Sequence, residues 1–376
     1  MDREAAIWHT VETCEHHTAA EASPSVDPNS YTLQRHDGTQ EKYTTRCEHM
    51  NRSSVSVVIP AYNSARYLAK SLDSVMTQTL PPTEILIVDD GSTDNTRTIV
   101  AAYRDARIRY IEIPHQGVAA ARNRGMELAS GYYLAFLDAD DQWRPTMLEK
   151  QVSILEQDEQ LICSFTNFVR FVEETGEVLP EQFDFYPELK TVPVARSRFE
   201  DAFSIEGDAF AQLIQFEEIP AFMQCMLFRR TMIADMRQNK LLSRCEDLEF
   251  VGRVFLRGKV AFTSEVLTDV RRHGLNLTSD HSFMALDKLR ALLPLQNAVD
   301  TPSRRMALND RLVKAWLDAA TVLIRADRQW EGLAHYAKIF AIRNSWLRKL
   351  KGTARVGYEL LNSIGAYDPA TEASAQ

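Results

Sequence analysis

Residues 55–60 read VSVVIP, a nearly continuous apolar run of the kind that forms a strand buried on both faces of a sheet. Three further runs follow, separated by segments whose apolar residues have helical spacing. They read EILIVDD at 84–90, IRYIEI at 108–113 and YYLAFLDADD at 132–141. Strict alternation of strands and helices predicts an α/β fold, with a mostly parallel sheet that carries helices on both faces.

Three of these four runs end in residues that suit ligand binding. They end in Pro60, in the pair Asp89 and Asp90, and in the acidic run 138–141. Ligands of open parallel sheets collect at the carboxyl ends of the strands. The topology therefore predicts a functional site at this edge of the sheet, before any family is considered.

Asp138 and Asp140 suggest a metal site. If the strand continues through them, alternation points both side chains to one side, about two residue rises apart. Two carboxylates at that distance repel each other unless a cation lies between them. Hard divalent ions such as Mg²⁺ or Mn²⁺ prefer oxygen ligands and take further ligands from a substrate diphosphate. An acidic loop without a ligand is the alternative.

Composition excludes several classes of protein. The chain has 376 residues, is 45% hydrophobic and 25% charged, and carries a formal net charge of -9. No strongly basic surface is indicated, so we expect no nucleic-acid partner. No window approaches the roughly 20 apolar residues of a membrane-spanning helix, and no signal peptide is recognisable at the N-terminus. We therefore expect a cytoplasmic protein.

The chain divides into three segments. Residues 1–52 are polar and without clear periodicity, which predicts a disordered tail or, ahead of Met50, a leader that is not translated. Residues 53–280 hold the alternating pattern and are the acidic part, with 34 acidic and 24 basic residues. Residues 281–376 have 9 acidic and 14 basic residues and predict a helical C-terminal extension.

Six short motifs in order resemble the family 2 inverting glycosyltransferases with the GT-A, Rossmann-like fold. They are VSVVIPAYN, IVDDGSTDNT, GVAAARNRG, FLDADD, CEDLEF and RRHGLNLT, and they cover roughly residues 54–280. The resemblance is to non-processive members that build bacterial cell-surface polysaccharides, because the QxxRW element of processive synthases is absent. The phosphate loops of nicotinamide-binding and P-loop proteins are absent as well.

The resemblance implies roles for individual residues on the donor side. A nucleotide-diphosphate sugar, most often UDP-linked, is the implied donor, and Mg²⁺ or Mn²⁺ the implied metal. Asp140 is the implied direct metal ligand, and Asp138 lies near both the ribose and the metal. The implied nucleotide-sugar contacts are Pro60, Tyr62, Asp90, Arg122, Asp138, Arg271 and His273. The family often has an aromatic residue before the arginine at position 271, and this chain has Val270 there. The resemblance therefore does not predict the details of the loop that closes over the diphosphate.

Asp247 resembles the catalytic base of this family. An inverting transfer needs a carboxylate that takes the proton of the acceptor hydroxyl while its oxygen attacks the anomeric carbon. The alternative is an ordinary acidic residue in the first turn of a helix. The implied acceptor is a glycan or a lipid-linked glycan.

The basic C-terminal segment has two possible roles. Residues 332–358 contain six Lys or Arg and no Asp or Glu, interleaved with large apolar side chains. This segment either contacts the inner face of an anionic membrane or packs on the catalytic domain.

A catalytically silent relative that binds a nucleotide-sugar, or acts as a scaffold through the C-terminal helices, is the alternative to an enzyme.

Overall fold

The computed structural model of the chain forms two units, residues 1–50 and residues 51–376. The residues that it describes are 30–34, 40–44, 53–216, 219–274, 284–341, 355–356 and 359.

The first unit contains an antiparallel strand pair. Strand β1 (Ser30–Gln34) pairs with β2 (Gln40–Thr44), and Tyr31 lies opposite Tyr43. This pair lies inside the segment expected to be a disordered tail, and here the structure differs from that expectation. The two strands contain the β-forming residues Tyr31, Thr32 and Tyr43, which are consistent with this pairing.

The second unit begins with the predicted parallel strands. The strands are β3 (Val55–Ala61), β4 (Glu84–Asp89), β5 (Ile108–Glu112) and β6 (Tyr133–Phe136). The helices between them are α1 (Leu68–Met76), α2 (Thr96–Ala101) and α3 (Val118–Leu128). All four strands are parallel and lie in the order β5-β4-β3-β6, so the prediction of an α/β fold is confirmed.

Strand β3 shows why this part of the sheet reads as a continuous apolar run. Val55, Val57 and Ile59 belong to one hydrophobic cluster, whereas Val58 belongs to the other. Each cluster covers one face of the sheet. A strand between two covered faces cannot carry polar residues in alternation, because every second position would then bury an unpaired polar group.

The sheet continues with strands of both directions. The further elements are β7 (Gln142–Trp143), α4 (Met147–Leu155), β8 (Leu161–Val172), β9 (Val194–Arg196), β10 (Ala202–Ile205), α5 (Ala209–Leu213), β11 (Met226–Arg229), α6 (Glu246–Phe255) and β12 (Lys259–Arg272). Short 3₁₀ helices occupy Gln182–Phe185, Pro187–Thr191, Met223–Cys225 and Arg230–Ile233.

Strand β11 lies antiparallel between β6 and β8. Because it runs against both neighbours, β8 points in the same direction as β3–β6, and β12 continues that direction beside β8. β10 and β9 complete the far edge, and β7 pairs with β12. The sheet is thus mixed beyond β6, although most of its strands share one direction.

The C-terminal segment is helical wherever it is described. It contains α7 (Met284–Leu292), α8 (Pro302–Arg325) and α9 (Gln329–Lys338), with 3₁₀ helices at Leu293–Asn297 and Ile339–Ala341. Leu292, Leu308 and Leu312 share one hydrophobic cluster with Phe250 of α6. The first part of this segment is therefore joined to the sheet domain by a common core. Of the described helices, none is both long enough and apolar enough to span a bilayer.

Candidate active site

Asp89 and Asp90 follow each other at the end of β4 and hold two different loops. Asp89 accepts a hydrogen bond from the backbone N–H of Ser92 at 2.9 Å and another from the hydroxyl of Tyr110. Both carboxylate oxygens of Asp90 accept backbone N–H groups, from Gln116 at 2.8 Å and from Gly117 at 2.7 Å. Asp90 therefore anchors the loop that leads into α3.

The Asp90 loop also carries an aromatic stack. Nδ1 of His115 lies 2.8 Å from Oδ2 of Asp90. The imidazole stacks on Tyr62 with ring centroids 4.2 Å apart, and the Tyr62 side chain is 47% exposed. Pro60 is buried within β3, two residues before Tyr62. A flat, partly exposed aromatic surface is thus present at the carboxyl edge of the sheet. Tyr62 and Pro60 were predicted from the sequence, whereas His115 was not.

The acidic run lies in a loop rather than on a strand. β6 ends at Phe136, and the backbone N–H of Asp141 donates to the carbonyl of Asp138, which closes a turn. The prediction that strand alternation points Asp138 and Asp140 to one side is therefore wrong in its reasoning. Asp141, which closes this turn, is buried, and its Oδ1 accepts the backbone N–H of Arg271 at 2.8 Å.

The three carboxyl groups of this loop lie close enough to affect one another. Burial, and after it the charge of Asp138, raises the pKa of Asp140. Burial and the charge of Asp140 raise the pKa of Asp141 well above its usual range. Protonation relieves this concentration of negative charge, and so would a bound cation.

The donor atoms of this loop fit a divalent cation that shares its coordination with a substrate. Asp138 and Asp140 offer carboxylate oxygens, which Mg²⁺ and Mn²⁺ prefer. Within the described residues no three His, Cys, Asp or Glu side chains converge on one metal position. A cation held here would therefore take its other ligands from phosphate oxygens or water.

His273 and Arg271 reach the acidic loop from the end of β12. Nε2 of His273 lies 3.0 Å from Oδ2 of Asp140, and Nε of Arg271 donates to the carbonyl of Asp140 at 2.8 Å. Tyr67 packs beside both, with its ring stacked on His273 at 4.6 Å and lying 5.0 Å from the Arg271 guanidinium. Arg271 also pairs with Glu173. The two residues predicted to cover a diphosphate thus lie against the predicted metal ligand.

Arg122 lies between two carboxylates. One guanidinium nitrogen donates to Oδ1 of Asp138 at 2.7 Å and the other to Oε1 of Glu246 at 2.9 Å. The carboxylates of Asp138 and Glu246 raise the pKa of Arg122 despite its burial. From the sequence, Arg122 is expected to face the nucleotide, whereas in the structure its guanidinium lies between these two acids.

Asp247 and Glu246 form the start of α6. Asp247 is half-buried, and its Oδ1 accepts the backbone N–H of Leu248 at 2.7 Å. Glu246 is buried, and its burial together with the charge of Asp247 raises its pKa to about 7. Asp247 was predicted from the sequence, whereas Glu246 was not. The partner of Glu246, Arg122, is 124 positions away, so no local sequence pattern indicates the pair.

The predicted residues therefore fall into contacting sets. Arg122 connects Asp138 with Glu246, the neighbour of Asp247, while Asp140 contacts His273 and Arg271. Both sets share the acidic loop. Tyr62 and Asp90 belong to the separate set built on the loop before α3.

Comparison with known proteins identifies a family and several relatives. The family described as Glycosyl transferase family 2 matches residues 56–234. Among curated relatives, a putative teichuronic acid biosynthesis glycosyltransferase, TuaG of Bacillus subtilis strain 168, is 42% identical over 117 residues. That alignment covers 30% of this chain and 46% of TuaG. The chain thus spans less than half the length of the curated relatives it matches.

Solved structures show the same fold at low sequence identity. S. aureus TarS 1-349 in complex with UDP-GlcNAc is 17% identical, with a TM-score of 0.57, over 84% of this chain and 91% of that one. The mannosyltransferase PcManGT from Pyrobaculum calidifontis, in complex with GDP-Man and Mn²⁺, is 16% identical, with a TM-score of 0.53. That similarity covers 85% of this chain and 83% of PcManGT.

The sheet, the acidic loop and the family match together define the class of the protein. Residues 56–234 match glycosyl transferase family 2, and the fold is of the GT-A type.

Proposed function

We propose that this chain is a metal-dependent inverting glycosyltransferase that moves a sugar from a nucleotide-diphosphate sugar to an acceptor hydroxyl. One observation carries the proposal: Arg122 brings the loop of Asp138 and Asp140 into contact with the first turn of α6, which holds Asp247. The donor-binding acids and the base would then flank one reaction centre.

Each chemical role falls to a residue of this chain. Asp247 would take the proton of the acceptor hydroxyl as its oxygen bonds to the anomeric carbon. The bond between that carbon and the diphosphate oxygen breaks on the opposite side, and the nucleoside diphosphate leaves with the electron pair. Asp138 and Asp140 would hold a divalent cation, which supplies charge stabilisation to the leaving diphosphate. Arg271 and His273 lie beside these acids and would orient the diphosphate.

The donor is proposed to be UDP-linked. TarS has been solved with UDP and with UDP-GlcNAc, whereas PcManGT has been solved with GDP-Man, so both bases belong in a donor panel. The name of TuaG supports an acceptor in cell-surface glycan synthesis. Such an acceptor, if linked to a lipid, would place the reaction at the inner face of the membrane.

The test is release of the nucleoside diphosphate from a donor panel with Mn²⁺. We expect Asp247→Asn to lower turnover by about 10²–10⁴-fold, because the amide cannot accept the proton. The dissociation constant for UDP should change less than about twofold. Asp235→Asn is the matched control, since Asp235 is an exposed acid that pairs with Arg257. Undiminished turnover in Asp247→Asn would exclude Asp247 as the base.

The same panel separates the enzyme from the silent relative. A wild-type protein that binds UDP and donor sugars but releases no diphosphate with any donor or acceptor would support the binding protein instead. The intact set of Asp138, Asp140 and Asp247 supports catalysis.

Membrane contact through residues 332–358 is a further part of the proposal. Most of that segment lies outside the described residues. Trp330, two residues before it, is 84% exposed, and Phe340 in its described part is 60% exposed. We expect anionic liposomes to carry the full chain upward in a density gradient. The double variant Trp330→Ser/Phe340→Ser should float less, and equal recovery of the two proteins would contradict the contact.

A further inference from the structure

Arg122 is one of the deeply buried charged groups of the site. Only 4% of the residue is exposed, although it lies at the carboxyl edge of the sheet where ligands bind. Its two terminal nitrogens are used by Asp138 and Glu246, at 2.7 and 2.9 Å. Its third nitrogen carries the Nε–H, which has no hydrogen-bond partner among the described residues. Both terminal nitrogens of the guanidinium are thus bound to acids of this chain.

Stability alone is a weak reason for this arrangement. Burying an arginine and two carboxylates has a desolvation cost that often cancels the attraction between them. Because this ion pair contributes little to stability, a role in fixing the relative position of its two carboxylates explains it better.

The two carboxylates belong to elements that must act together. Asp138 lies in the loop after β6, and Glu246 is the first residue of α6. Cys245 before it adopts a left-handed conformation with φ of 59°, so the chain enters α6 through a sharp turn. Asp247 is the next residue. The direction in which Asp247 points therefore depends on how the first turn of α6 is fixed.

We infer that Arg122 and Glu246 are positioning residues, which set the place of the base Asp247 relative to the donor loop that holds Asp138. This inference rests on the proposed function and extends it. Neither residue needs to touch the donor: Arg122 acts through Asp138 on one side and through Glu246 on the other. The nucleotide contact expected of Arg122 from the sequence is the competing role.

The first test separates chemistry from donor binding. Glu246→Gln keeps the shape of the side chain and removes the charge that Arg122 binds. We expect kcat to fall about 10–100-fold, because a small misplacement of a reacting group has an effect of that size. KM for the donor and the dissociation constant for UDP should stay within about twofold. Arg124→Gln is the control, since Arg124 lies on the same helix but is exposed and pairs with Glu127.

The second test uses the conservative variant Arg122→Lys, which keeps the charge but cannot bridge two carboxylates. Its kcat should fall as in Glu246→Gln, and the double variant Arg122→Lys/Glu246→Gln should be no slower than the slower single variant. A double variant in which the two losses multiply would show independent roles and overturn the inference. So would an Arg122→Lys protein that binds UDP more than about tenfold more weakly, because that is the result expected of a nucleotide contact.

The third test follows the start of α6 without any turnover. Burial, and after it the charge of Asp247, raises the pKa of the Cys245 thiol to about 12, so alkylation at pH 8 should be slow. Arg122→Lys leaves the local charge unchanged, so faster alkylation of Cys245 in that variant reports displacement of the helix start. Mass spectrometry of the Cys245 peptide gives the rate, with Arg124→Gln as control.

The outcomes distinguish the two proposals. A wild-type chain without turnover on any donor overturns the proposed function and removes the catalytic meaning of this pair. Normal wild-type turnover with unchanged kcat in both Glu246→Gln and Arg122→Lys overturns only the inference. If Glu246→Gln does not fold, Arg122→Lys decides: an unchanged kcat and an unchanged alkylation rate of Cys245 would exclude a positioning role.

Discussion

His273 contacts Asp140 directly, with 3.0 Å between Nε2 of the imidazole and Oδ2 of the carboxylate. The contact joins the loop after β6 to the end of β12, and the Tyr67 ring supports the imidazole from one side. The loop that carries Asp138 and Asp140, the proposed ligands of a cation, is thus held from the end of β12.

Asp140→Asn should remove most of the response to Mn²⁺. An amide can keep the hydrogen bond to His273, but it is a poorer cation ligand than a carboxylate. We expect turnover at saturating donor to fall on the order of 100-fold. The measurement is diphosphate release against Mn²⁺ concentration. Asp158→Asn, an acid that pairs with Lys259 at the amino end of β8, is the control. An unaltered Mn²⁺ curve in Asp140→Asn would remove Asp140 from the metal site.

Tyr62→Ala should weaken donor binding and leave the chemical step nearly intact. The Tyr62 ring stacks on His115 and presents an exposed face beside Asp90. Loss of one aromatic contact corresponds to roughly 1 kcal/mol, so donor KM should rise about fivefold with little change in kcat. Tyr62→Phe keeps the ring and should behave as wild type. If Tyr62→Phe matches Tyr62→Ala, the hydroxyl rather than the stack is responsible.

Gly125→Ala should destabilise the fold, because α3 approaches β3 too closely to admit a methyl group. A Cβ at this position would lie 2.3 Å from Cγ1 of Val58. We expect a loss of about 1–3 kcal/mol in the free energy of unfolding, measured by urea titration. Val58→Ala alone should also destabilise, by opening a cavity. The double variant should lose less than the two single variants together, and strict additivity would argue against a clash.

Glu246 should make the protein less stable as the pH rises. Its pKa is about 7 in the folded protein, against an ordinary value of 4.5. As the pH rises from 4.5 to about 7, the unfolded chain loses the Glu246 proton before the folded protein does. The stability that this carboxyl group contributes below pH 4.5 is therefore lost as the pH rises through about 7. Relative to Glu246→Gln, the wild-type chain should lose free energy of unfolding between pH 5 and pH 8, in EDTA. A difference that grows in the opposite direction would contradict the raised pKa.

The parallel half of the fold was predictable because its strands are buried on both faces. β3 and β4 consist mostly of apolar residues, and each ends at the edge of the sheet where the candidate site lies. β12 was not predicted. Its 14 residues include the run Thr263, Ser264 and Glu265, and its pairing with β8 shifts register at that point. Irregular pairing of this kind leaves no simple period in the sequence.

The site shows the same division. Asp138, Asp140 and Asp247 stand in recognisable motifs, and their neighbourhood at the sheet edge follows from topology. The pairing of Arg122 with Glu246 does not, because the two residues are 124 positions apart and meet only through the fold. Asp90 is a further case: its carboxylate is engaged by three consecutive residues, His115, Gln116 and Gly117, and no spacing rule connects them to it.

The antiparallel strand β11 affects how the chain must be made. β6 and β8 lie on either side of it, yet Met226–Arg229 is synthesised more than fifty residues after β8 ends. Until then, both strands have an open edge that faces the gap, and open edges are sites of intermolecular pairing. β11 therefore pairs with β6 and β8 late in synthesis and over a long sequence separation. This predicts slow folding and a need for chaperones on the ribosome. A chain truncated before Met226 should aggregate, even though it contains every strand of the parallel half.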